Sequence, residues 1–142
     1  GEGDRIDHRP GQARVLHRKR YWYGRSAELA PVDLALGWGR MSDETVLEKM
    51  RFSQDSRFYY WRTRNFPIPR KEIETNSCNM HLIPANKQVR KAILKTREGQ
   101  VVNFTGHLVN IRAKDGWRWK TSMTRQDTGA GACELVLIET FQ

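Results

Sequence analysis

The stretch GQVVNFTGHLVNIRAKDGWRWKTSM, residues 99–123, decides the fold. It reads as two long strands joined at Asp115-Gly116, the dipeptide that a type I′ hairpin prefers because both central residues take positive φ. Val102, Phe104 and Leu108 share one face of the first strand, whereas Val109 and Ile111 fall on the other parity. Gly106 stands between the two sets. A bulge or bend there lets one strand serve two faces of a curved sheet, as the wall of a small barrel must.

Working outward, the loop TRQDTGAGA leads into CELVLIETF (133–141), whose continuous apolar middle predicts a strand buried on both sides. Upstream, NKQVRKAILKTREG (86–99) predicts a helix with Asn86 as its cap, Val89, Ala92 and Ile93 facing inward, and Gly99 at the C-terminal cap. IETNSCNMHLIP (73–84) reads as extended and ends before Pro84; over 78–83, alternation sends Cys78, Met80 and Leu82 to the core and Asn79, His81 and Ile83 to the other face. SRFYYWRTR (56–64) is strongly β-prone and is closed by the prolines of NFPIPR. AELAPVDLALGWGRMSDETVLEKM holds a turn, then a short helix capped by Ser42 with Val46, Leu47 and Met50 as its apolar stripe. ARVLHRKRYWY (13–23) is the first strand, and residues 1–12 form a loose, flexible leader to a single β-barrel-like domain over 13–142. The order β, short α, β, β, α and a three-strand meander predicts a β-rich α+β fold. Its architecture is a small OB-like, partly open β-barrel with two short helices, with an α+β roll as the alternative.

The 142 residues suit one domain, and 38% hydrophobic content supports a folded core. No apolar run is long enough for a transmembrane helix. With 25 Lys+Arg against 16 Asp+Glu the net charge is +9, which points to nucleic acid or another anionic partner. Cations and rings interleave at Arg18, Arg20, Tyr21 and Trp22, at Arg62, and at Trp117 and Arg118, the pattern of a stacking platform for single-stranded nucleic acid. An edge strand kept soluble by basic residues reads equally well.

Cys78, His81, His107 and Cys133 are the right types for tetrahedral zinc. Strand parity, however, points Cys78 and His81 to opposite faces, which also separates them as nucleophile and base. Phosphate-loop, metalloprotease and nucleophile-elbow motifs are missing, so no catalytic residue, cofactor or metal is expected. The candidate binding set is Asn79, His81, Arg125, Asp127 and Glu134, with Asp33 and Trp38. Arg125 and Asp127 open the glycine-rich Thr128–Gly131 loop, whose backbone donors suit an anion. These residues predict a non-enzymatic module with a polar face for an unidentified protein or anionic ligand. The alternatives are a basic nucleic-acid-binding barrel and a metal-assisted hydrolase or nuclease with His81 as general base and Asp127 or Glu134 holding the cation.

The motifs DLALGWGRMSD (33–43), NMHLIPAN (79–86) and TRQDTGAGACEL (124–135), with ARVLHRKRY, FYYWR and GQVVNFTGHLV, resemble an uncharacterised (hypothetical) bacterial protein family, mainly proteobacterial. The resemblance covers roughly residues 13–140 and brings no activity or catalytic residue with it. Members often carry an N-terminal hydrophobic anchor or signal, so the resemblance implies a periplasmic or membrane-anchored envelope protein; a cytoplasmic location is the alternative.

Overall fold

The computed structural model describes residues 2–121 and 133–142. The elements run β1 (Glu2–Arg20), α1 (Arg25–Leu29), β2 (Val32–Gly37), a 3-10 turn (Gly39–Ser42), α2 (Glu44–Leu47), β3 (Arg51–Asp55) and β4 (Phe58–Arg62). They continue through α3 (Arg70–Thr75), β5 (Ser77–Pro84), α4 (Lys87–Leu94), β6 (Val101–Arg112), β7 (Arg118–Trp119) and β8 (Cys133–Phe141).

β1 is long enough to serve two neighbours. Glu2–Arg14 pairs antiparallel with β6, and Arg14–Arg20 pairs antiparallel with β2. β2 pairs β5, β5 pairs β8 in parallel, and β8 returns to β6. These pairings make a ring-like, partly open β-barrel in a β-rich α+β fold. The parallel β5–β8 pair needs a crossover, and α4 with β6 supplies it. Leu34, Leu36, Met80, Leu82, Leu108, Val136 and Ile138 fill the interior, into which α4 sends Val89 and Ile93. Burying one such side chain is worth about 1.5–3 kcal/mol, so the interior is the main source of stability. Asn86 caps α4 by accepting the Val89 N–H at 2.9 Å.

Gly106 is the bend. The β6–β8 register shifts between Thr105 and Gly106, and a Cβ at Gly106 would lie 2.4 Å from the Leu137 carbonyl oxygen. Only a residue without Cβ lets the strands approach so closely.

Between β2 and β5 the chain inserts residues 38–76. The insertion builds a second core from Met41, Val46, Met50, Tyr59, Ile68 and Ile73 against Leu16 and Ala35 of the barrel. It covers the outward side of β2 and β5. Its β3–β4 hairpin turns through Ser56 and Arg57, both at positive φ (50° and 72°), a two-residue turn made without glycine.

Several local expectations are corrected. VDLALG, expected as a turn, is the barrel strand β2 and is buried at every position, so neither alternation nor an exposed face marks it. α3 takes in residues 73–75, which were expected to be extended, and β3 occupies a stretch to which no element was assigned. Four short α-helices stand among the described residues where two were expected, α1 and α3 being the additions. Residues 2–12 pair with β6 where a loose leader was expected. The strand after Asp115-Gly116 is two residues long, and of that dipeptide only Gly116 has positive φ (93°), so the turn is not type I′. Asp43 rather than Ser42 caps α2, accepting the Thr45 N–H at 2.9 Å.

Candidate functional site

Strand register decides which candidate residues meet. Asp33 lies opposite His81, and Ala35 opposite Asn79, so Asp33, Asn79 and His81 project together from the outer side of the barrel. They do not project into water. Asp33 and Asn79 are 0% exposed beneath Gln54 and Arg57 of the β3–β4 hairpin, and His81 is 4% exposed beside the Trp119 ring. The expectation of an accessible Asn79/His81 face is therefore corrected.

A continuous polar layer joins hairpin to barrel. Gln54 Oε1 accepts from His17 Nδ1 at 2.8 Å, and Gln54 Nε2 donates to Asn79 Oδ1 at 2.6 Å. Asn79 donates to Asp33 Oδ2 at 3.0 Å and to the Arg57 carbonyl at 3.0 Å. Arg57 donates to Asp33 Oδ1 at 2.6 Å and to the Ala30 carbonyl at 3.0 Å. His81 Nδ1 stands 3.0 Å from Asp33 Oδ2, at ion-pair distance but in a direction that makes no hydrogen bond. The Trp119 ring lies 5.1 Å from the imidazole, and the Arg57 guanidinium sits 3.9 Å over Tyr21 and 4.8 Å over Trp119. Burial pushes the Tyr21 phenol up. Asp33 and His81 resemble a base and its orienting carboxylate, yet rings and the guanidinium close the approach to them. The layer fixes the hairpin on the barrel; buried polar networks of this kind specify one arrangement when their members are satisfied.

The remaining candidates separate. Glu134 is in register with Met80, so it lies on the barrel-interior face, opposite His81. It cannot share a cation with His81. Arg125 and Asp127 lie outside the described residues. Trp38 packs half-buried against the barrel core, and its backbone N–H donates to the Asn76 carbonyl at 3.0 Å, tying together the two ends of the insertion. Cys78 is buried in the barrel interior, on the face away from His81. Among the described residues no group of three His, Cys, Asp or Glu is placed to hold a metal ion.

The cation–ring residues fall into three sets. At the end of β1, the Arg20 guanidinium lies 4.2 Å over Trp22, and Arg18 donates to the Leu94 carbonyl of α4 at 2.9 Å. Trp22 is 69% exposed and Tyr23 93%. Burial lowers the Arg20 pKa most, and the nearby cations Arg90 and Arg18 lower it further. Tyr21 instead turns inward and accepts the Arg57 N–H at 2.8 Å. The second set joins α1 to the β6–β7 hairpin: Arg25 grips Asp115 through two bonds of 3.0 and 2.7 Å and lies 5.1 Å over Trp117, with Arg118 exposed beside it. The hydrogen bonds from Arg25 hold the Asp115 carboxyl down at about 2. Arg62 belongs to a third surface, the exposed side of the β3–β4 hairpin. Arg57, Gln54 and the cations flanking Arg62 were missed in the sequence. The only signal was the mixture of bases and rings at 57–62.

No helix among the described residues is long and apolar enough to cross a membrane. The chain matches no protein-family model, no curated protein and no solved structure.

Proposed function

We propose that this chain is a non-enzymatic binding module whose ligand is single-stranded nucleic acid, docked on the shoulder formed by the end of β1 and the segment leading to α1. The observation that carries the reading is the Arg20 guanidinium stacked 4.2 Å over the exposed Trp22 ring, with Arg18 and Arg90 close enough to lower the Arg20 pKa. Rings beside concentrated cations hold single strands by stacking and by counterion release. The loop after the first strand is also a ligand-binding loop in barrels of this type, and Trp22 and Tyr23 stand in it. The outer face of the second and third barrel strands, the other surface such barrels use, is filled here by the insertion. A polar ligand face at Asn79 and His81 lacks support for the same reason.

Fluorescence anisotropy of labelled single-stranded DNA and RNA tests this. Affinity should fall steeply between about 50 and 200 mM salt, as phosphate contacts require. Trp22→Ala should weaken binding by about 1–3 kcal/mol, the worth of one stacked base. Absence of binding at low salt to either polymer, or equal binding by the Trp22→Ala and Arg20→Glu variants, would sink the reading. The envelope location implied by the resemblance is a separate proposal, tested by fractionating cells and blotting for the chain.

A further inference from the structure

The β3–β4 hairpin carries a second surface that the nucleic-acid reading does not use. Two adjoining clefts meet there at Arg62 and Thr63, with volumes of about 710 and 340 Å³. Both lie in the range of small-ligand sites.

The larger cleft is lined by Lys49, Arg51, Arg62 and Arg64 against one carboxylate, Glu48. Among the described residues, Lys49, Arg62 and Arg64 make no ion pair, and Arg51 donates to backbone carbonyls, Met50 at 3.0 Å and Glu48 at 3.5 Å. Arg51 and Arg62 also sit directly opposite each other in the hairpin register. Like charges so placed destabilise a strand pair, and an anion between them reverses the sign.

The smaller cleft is lined by five consecutive residues, 59–63, so it runs alongside β4 rather than over one face of it. Among the described residues β4 pairs with β3 alone, which leaves its other edge with backbone donors and acceptors in alternation. Tyr60 and Phe66 expose ring surface beside that edge, and Glu74 adds an acceptor. A flat ring with a hydrogen-bonding rim suits this cleft; a chain of phosphates suits its neighbour.

We infer that the paired clefts bind a nucleoside polyphosphate, its phosphates among Lys49, Arg51, Arg62 and Arg64 and its base beside Tyr60, Phe66 and the β4 edge. Four cations against one carboxylate match the charge of a di- or triphosphate, and an unpaired strand edge reads the polar rim of a base as it would read another strand.

Calorimetric titration of the intact chain with ATP, GTP, inorganic tripolyphosphate and adenosine tests the inference. A nucleoside triphosphate should bind at least tenfold tighter than tripolyphosphate. Arg62→Glu with Arg64→Glu should lose at least tenfold; both side chains are exposed, and an unchanged thermal midpoint confirms folding. If that pair fails to fold, Arg62→Gln with Arg64→Gln serves in its place. Phe66→Ala should weaken the nucleotides and leave tripolyphosphate unchanged. Arg20→Glu should leave nucleotide affinity unchanged, which separates this site from the shoulder at Trp22. Equal affinity for tripolyphosphate, no binding at millimolar nucleotide, or an Arg20→Glu loss as large as the Arg62/Arg64 loss each overturns it.

Discussion

Arg57 is the residue on which insertion and barrel meet. It sits at φ 72°, in a region that residues with a Cβ rarely occupy, and its guanidinium bonds the fully buried Asp33 carboxylate at 2.6 Å. Backbone strain of this kind costs about 1–3 kcal/mol and persists only where the surroundings hold it. Here the Tyr21 hydroxyl, the Ala30 carbonyl and Asn79 do the holding. Arg57→Ala is expected to destabilise the protein by about 3–5 kcal/mol, because it leaves a buried carboxylate without its cation. Urea denaturation measures this, and Asp33→Asn in the same background should recover part of the loss, since the two changes act on one network. A free, additive pair of effects would contradict the coupling. At this scale the sequence was half legible. Parity correctly turned His81 away from Cys78, but no pattern in 77–86 reveals that the outer side of the barrel is roofed by a hairpin whose Arg57 and Gln54 stand 22 and 25 positions before Asn79.

Single elements were legible where one feature governs them. Gly106 announces the bend in β6 because a strand whose apolar parity changes needs a residue that tolerates close approach. Gly106→Ala, with its Cβ 2.4 Å from the Leu137 carbonyl, is expected to destabilise by about 1–3 kcal/mol, as overpacking does, and thermal unfolding will register it. α4 was legible through Asn86 and its Val89/Ile93 stripe. β2 was not, because a strand buried on both faces with an aspartate in its middle offers no alternation to read. The contact between α1 and the β6–β7 hairpin carries a pH dependence. The Asp115 carboxyl is lowered from 3.8 to about 2 by Arg25, so its stabilising contribution is present above about pH 4 and is lost as pH falls through 2. A carboxyl-carbon NMR titration should place the midpoint near 2, and Arg25→Gln should return it toward 3.8.

At the scale of the whole molecule, the barrel class was legible and its roof was not. A bend glycine and a helix between strands point to a small barrel, whereas the insertion at 38–76 is made of elements too short to show a period. The roof divides the basic surface: one patch surrounds Trp22 at the end of β1, and another surrounds Arg62 on the hairpin. Loss of one binding event should therefore leave the other intact, which paired titrations with Arg20→Glu and Arg62→Glu measure. The pairing of β1 with β6 has a kinetic consequence. Glu2 finds its partner at Arg112 and Arg14 at Val101, so the first strand of the chain must wait for residues about a hundred positions later. Such non-local topology slows folding to the order of milliseconds to seconds. During synthesis β1 can pair first only with β2, leaving the larger part of its length, before Arg14, an unpaired edge until β6 leaves the ribosome, and that interval is when a second nascent copy could capture it.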